Sequence, residues 1–122
     1  MPTFKKFEDI QAWQKARKAT NKIYQATKQS SFARDFGLRD QIQRASVSIM
    51  ANIAEGFGRY SDREFANFLN IAHSSVCEVQ SHLYVALDLD YVGEETFKSL
   101  HELLDEVSRM IRSLAVHLRG SK

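Results

Sequence analysis

The sequence is short of the residues that interrupt a chain. Among 122 residues there is one proline and there are five glycines. So few breakers argue against a loop-rich or many-stranded fold and for long helices. Cys77 is the only cysteine, so no internal disulfide can form, which fits a reducing compartment. No apolar run approaches the roughly 20 residues that cross a bilayer. The opening MPTFKKFEDI lacks an apolar signal core followed by a cleavage site. The expectation is a cytoplasmic protein with no membrane partner. With no strand expected, no Gly-rich phosphate loop can follow one. Gly56-Phe57-Gly58-Arg59 is too short for such a loop and lacks its lysine.

What is present fits one domain, residues 1–122, with 43% hydrophobic residues, an ordinary share for a globular chain. The net charge of +2 is unevenly spread. Residues 1–30 carry seven basic and two acidic side chains, 31–60 four and three, 61–93 one and five, and 94–122 five of each. This alternation suits helices that complement one another, not a dedicated DNA-binding domain.

Four helices follow from period and punctuation, at about 8–28, 38–55, 61–88 and 94–118. In the first, Ile10, Trp13, Ala16, Thr20, Ile23 and Thr27 repeat at steps of three and four. Glu8 and Asp9 then fall in its first turn, and QSSFARDFG breaks the pattern after it. The second carries Leu38, Ile42, Ala45, Ile49 and Ile53 on one face and Val47, Met50, Ala51 and Ala54 on another. A helix apolar on two sides is expected to be buried on two sides. Gly56 is placed to be the left-handed residue just past its end. Ser61 and Glu64 form a capping box that opens the third helix. The fourth has a strict four-three heptad of Phe97, Leu100, Leu104, Val107, Ile111, Leu114 and Leu118. Short connections make neighbours antiparallel. The expected fold is all-α, an antiparallel up-down-up-down four-helix bundle.

Tests for chemistry mostly fail. A di-metal bundle site needs Glu-x-x-His pairs, and the chain has none. His101-Glu102-Leu103-Leu104-Asp105 resembles the zinc-protease HExxH but ends in Asp. His73 and Cys77, or Glu78 and His82, stand one turn apart, and two ligands do not make a catalytic metal site. Cys77 has a base candidate in His73, but nothing marks an oxyanion site. No catalytic residue, metal or cofactor is assigned, and the chain is read as no enzyme. Nucleic acid is more open. Lys15, Lys18 and Lys22 make a basic stripe on the first helix, with Lys5 and Lys6 nearby. Arg59 and Arg63 flank the central loop. Such cations can meet phosphates of RNA or DNA, or can be a solvated face.

A polar seam runs between the apolar faces of the second helix. Gln41, Arg44, Ser48, Asn52 and Glu55 follow one another at steps of three and four, and Ser75, Glu78 and His82 answer from the third helix. In an antiparallel hairpin Arg44 comes abreast of Ser75. The expectation is that Arg44 pairs with Glu78, or with another carboxylate buried by assembly, because buried charges persist only when paired.

The same residues carry a resemblance. Gln43-Arg44-Ala45-Ser46-Val47-Ser48-Ile49 and Ala51-Asn52-Ile53-Ala54-Glu55-Gly56-Phe57-Gly58-Arg59 resemble the signature of the bacterial four-helix-bundle proteins encoded in 23S rRNA intervening sequences. Phe7-Glu8-Asp9-Ile10 with Trp13-Gln14-Lys15-Ala16, then Glu64-Phe65, Phe68-Leu69, Ile71-Ala72, Ser75 and Glu78, and Asp88-Leu89-Asp90-Tyr91-Val92 resemble its other blocks. The similarity spans about Phe7 to Leu118. It implies a left-handed up-down bundle that assembles as a ring-shaped homopentamer. It also implies kinship with accessory proteins of diversity-generating retroelements, which bind nucleic acid and a reverse transcriptase. It carries no catalytic residues. Met50 stands where the family often has Pro, which leaves this helix free to be straighter. Ser74 stands where Gly is frequent. Two readings follow: a non-enzymatic oligomeric bundle that binds RNA or other nucleic acid, or an adaptor for a protein such as a reverse transcriptase.

Overall fold

The computed structural model describes residues 4–120, and among them every regular element is a helix. A short 3₁₀ turn, Phe7–Asp9, leads into α1 (Gln11–Ala26). Then come α2 (Ser30–Arg34), α3 (Phe36–Phe57), α4 (Asp62–Asp88) and α5 (Glu94–Gly120). The four long helices pack as the expected antiparallel bundle. α3 lies against α1 and α4, and α5 closes the ring against α4 and α1. No helix of the described residues is long and apolar enough to cross a membrane.

The apolar stripes meet at the bundle axis. Ala16, Ile23, Ile42, Ile49, Ile53, Leu69, Val76, Leu83, Leu104 and Val107 are wholly buried. Packing is tightest between α3 and α4, and a glycine explains why. Gly56 is not the left-handed residue past the end of a helix. It is buried inside α3, and no glycine of the described residues has positive φ. A Cβ there would stand 2.7 Å from Phe68 Cβ and 3.0 Å from Phe65 Cδ1. The missing side chain is what lets α4 approach. α3 ends two residues later, at Gly58, whose φ of −76° any residue can adopt and whose N–H returns to Glu55 O.

Other boundaries also differ from expectation. Glu8 and Asp9 belong to the 3₁₀ turn, not to α1, because the chain turns at extended Ile10 to bury it. Gln14 Nε2 donates to Glu8 O across that join at 2.9 Å. The stretch expected to be irregular contains α2, which exists to drive Phe32 into the core at 1% exposure. α3 starts at Phe36, two residues before Leu38, because the Asp35 carboxylate caps it and accepts the Leu38 N–H at 3.1 Å. At the third start Ser61 Oγ accepts the Glu64 N–H at 3.1 Å. Asp90, in the turn before α5, is the one non-glycine residue described with positive φ, at 59°.

α3 is buried on one side only. Val47 and Ala51 of its second apolar face lie exposed, while Met50 and Ala54 are half-buried. Ile71 and Val85 on α4 are exposed as well.

Candidate nucleic-acid interface

The cations singled out from the sequence fall into two separate patches. Lys15, Lys18 and Lys22 rise along the α5 side of α1. Lys15 is already engaged, its ammonium 3.6 Å from the Glu106 carboxylate on α5. Lys18 and Lys22 are exposed. Lys22 lines a groove of about 770 Å³ at one end of the bundle, shared with Asp90, Tyr91 and Glu95. Arg59 and Arg63 sit at the opposite end, where α3 turns into α4. Arg59 is 3.8 Å from Glu55 one turn back and lies 4.7 Å over the Phe68 ring. Arg63 is exposed and has no ion pair among the described residues. α1 and α4 stand diagonally across the bundle, so the two patches do not merge.

The polar seam is real at its centre and opens at its ends. Ser75 Oγ donates to Ser48 Oγ at 3.0 Å, and Asn52 Nδ2 donates to Ser48 Oγ at 3.0 Å and to Ser48 O at 2.8 Å. The Ser75–Ser48 bond ties α4 to α3, and the two Asn52 bonds, both within α3, hold Ser48 in place for it. Gln41, Arg44, Glu55 and Glu78 are exposed. The expected Arg44–Glu78 pair does not form. Glu78 instead faces His82 at 3.4 Å. The wheel placed Arg44 correctly on the seam side, but 40° beyond Ser48 the groove has already reached solvent, so a long cation extends outward. Glu55 joins Arg59 within α3 and its turn, not a neighbouring helix.

The remaining polar groups hold helices together. Gln80 Nε2 donates to Asp105 Oδ1 at 2.9 Å, fixing α4 against α5. His101 lies 3.6 Å from the same carboxyl group and packs against Tyr84 and Phe97. Thr20 Oγ1 reaches Ser46 O at 3.1 Å, and Gln43 Nε2 donates to Thr27 Oγ1 at 2.9 Å, joining α1 to α3. Cys77 is exposed. Among the described residues no three His, Cys, Asp or Glu side chains are grouped to share a metal ion.

Two features escaped the sequence reading. Tyr91, in the α4–α5 turn, donates to Asp35 Oδ2 at 2.9 Å and stacks on Phe32 at 5.3 Å between centroids. Its pKa is raised above 10.0, first by that hydrogen bond, then by desolvation and by the Asp35 charge. Nothing local in sequence joins positions 56 apart. The second is a run of exposed arginines on the last half of α5, Arg109, Arg112 and Arg119. The balanced count over residues 94–122 concealed it.

Comparisons with known proteins agree with this architecture. The sequence model of the 23S rRNA-intervening sequence protein family matches residues 8–113. A solved structure of a protein of unknown function from the S23 ribosomal protein family of Bacteroides thetaiotaomicron VPI-5482 superposes with a TM-score of 0.79 at 26% identity. The match covers 85% of this chain and 97% of that one. No curated protein matches the sequence.

Proposed function

The chain belongs to the family of 23S rRNA-intervening sequence proteins, and on that premise we propose that it is a non-enzymatic, self-associating bundle that binds RNA. The observation that carries this reading is the division of labour among its polar side chains. Ser48, Ser75, Gln80 and Asp105 are engaged in joining helices, and Asn52 is bonded to Ser48. Cations on several helices, Lys18, Lys22, Arg63, Arg112 and Arg119 among them, face solvent with no ion pair among the described residues. Groups held this way are poorly placed for catalysis, whereas free surface cations suit phosphates.

Self-association is supported by the uncovered outer faces of α3 and α4. Val47 on α3 and Ile71 and Val85 on α4 are 41%, 50% and 43% exposed. Exposed apolar side chains on adjoining helices suit a contact with another copy, provided that assembly brings them into one patch. The proposed assembly is a homopentamer in the cytoplasm, and repetition of the basic patches around it would multiply weak phosphate contacts.

Anisotropy of a labelled mixed-sequence RNA, titrated at several salt concentrations, tests the binding. Affinity should fall as salt rises. A Kd weaker than about 10⁻⁴ M at low salt, below ordinary non-specific binding, defeats the RNA reading. A light-scattering mass of 14.0 kDa at micromolar concentration, one protomer, defeats self-association.

A second reading is a protein adaptor, for a partner such as a reverse transcriptase. The feature that favours it is the Tyr84–Phe97–His101 cluster. Tyr84 is half-exposed and packed on Phe97 at 4.9 Å, in a hairpin whose sequence carries Asp88, Asp90, Glu94 and Glu95. Exposed aromatics among acidic groups suit a basic protein segment better than a nucleic acid.

A further inference from the structure

Residues 94–122 balance at five basic and five acidic side chains, but along α5 the signs separate. Glu94, Glu95, Glu102, Asp105 and Glu106 occupy its first half. From Val107 to Gly120 there is no carboxylate, and Arg109, Arg112 and Arg119 are exposed. A helix dipole favours cations in the last turn, which accounts for Arg119 beside His117. The effect fades within that turn, whereas Arg112 and Arg109 lie about two and three turns earlier. Nor do carboxylates account for them: none of the three is in an ion pair among the described residues.

The α4–α5 register adds a fourth guanidinium. Gln80 bonds to Asp105 and Tyr84 stacks against Phe97, so counting outward along the antiparallel pair brings Arg63 level with Arg119. Arg112 and Arg119 are seven residues apart and share the face turned toward α4. Arg109 stands one turn before Arg112 on the outer side, beside a groove that Asp9 also lines. Asp62 adjoins Arg63 in sequence. Carboxylates lie near two of the four, with Asp62 and Glu64 beside Arg63 and Asp105 and Glu106 one turn before Arg109, whereas Arg112 and Arg119 have none within a turn of α5.

We infer that this guanidinium cluster, Arg63 with Arg109, Arg112 and Arg119, is the RNA phosphate-binding face, and that the lysine stripe of α1 is not. The inference rests on the RNA reading above and locates it. The lysine stripe is compromised by its surroundings, with Lys15 held by Glu106 and Lys22 sharing its groove with Asp90 and Glu95. Guanidinium presents a planar fork that matches phosphate oxygens two at a time. Arg109 to Arg119 rises about 15 Å along the helix, longer than the step between neighbouring phosphates of one strand.

The test compares three proteins by anisotropy with one fluorescein-labelled, single-stranded mixed-sequence RNA over a salt series. They are the wild type, Arg109→Gln/Arg112→Gln/Arg119→Gln, and Lys18→Gln/Lys22→Gln. All the substituted side chains are exposed, and circular dichroism confirms the fold of each variant. The arginine variant should lose about tenfold or more in affinity at low salt. Its salt slope should flatten by about 2, from roughly 0.7 per phosphate contact for a single strand. The lysine variant should change less than about twofold. Binding lost in the lysine variant and kept in the arginine variant overturns this inference and leaves the RNA reading standing. A wild type that binds no RNA overturns both.

Discussion

Replacing Gly56 by alanine should destabilise the protein, although alanine is the better helix former. Gly56 lies inside α3, so alanine gains about 0.8–1 kcal/mol of helix propensity. Against that gain stands a contact of 2.7 Å between the new methyl and Phe68 Cβ, with Phe65 Cδ1 at 3.0 Å and Phe65 O at 3.3 Å. The first contact must open by about 0.7 Å to reach the ordinary range that begins at 3.4 Å. Phe68 Cβ is fixed to the α4 backbone and cannot swing aside as a side-chain tip can. The helices must separate along the most extensive interface in the fold, which loosens the Ser48–Ser75 bond as well. Overpacking costs about 1–3 kcal/mol, and the rigid partner puts this case at the upper end. The net loss should be about 1–2 kcal/mol, or on the order of 4–10 °C in Tm for a domain of this size. Urea denaturation at fixed protomer concentration measures it. Gly58→Ala is the control, because a Cβ there meets nothing nearer than 3.5 Å and φ is −76°. That variant should be neutral or gain up to about 1 kcal/mol. If Gly56→Ala proves as stable as the wild type, the close helix crossing is not what the glycine provides.

Arg44→Ala should change stability by less than about 0.5 kcal/mol in the same assay, because Arg44 is exposed and has no ion pair among the described residues; a loss of about 3–5 kcal/mol would instead require a buried pair formed on assembly. Asp35→Ala removes the α3 cap and the Tyr91 acceptor together, and should cost about 1–2 kcal/mol. Tyr91 binds its proton more tightly folded than unfolded, so its contribution is complete below the ordinary tyrosine pKa of about 10 and is lost as pH rises through the raised value. Wild-type stability should therefore fall with pH above about 10 more steeply than that of Tyr91→Phe, and parallel slopes would refute the assignment.

Periodicity was enough to find the bundle, because each long helix repeats its apolar residues often enough to average out exceptions. α2 was not legible, since five residues complete little more than one turn and its purpose is a single side chain, Phe32. The Gly56 reading went wrong for a related reason. A glycine near the end of an apolar run is usually a terminator, and only the neighbouring helix reveals that its lack of a side chain matters more than its backbone freedom. The seam was half legible: residue spacing set the angles of Ser48, Asn52 and Arg44, but the depth of the groove depends on how near α4 comes. The arginine row on α5 was hidden by counting charge in blocks that did not divide where the helix changes sign.

The α5 heptad, with leucine at positions 100, 104, 114 and 118, recognises its neighbours by shape alone. Moved by seven residues, about 10.5 Å, it would again present apolar groups to the same groove. Apolar matching thus favours several alignments almost equally. The Gln80–Asp105 bond and the Tyr91–Asp35 bond are different in kind, because each has a direction and a unique partner. A seven-residue slip of α5 along α4 would strand the first, and a shift of the α4–α5 turn from the start of α3 would strand the second. These few polar contacts add little to the total driving force. Their consequence is to select one alignment from several, so weakening them should yield a chain that still collapses into helices but no longer agrees on a single arrangement.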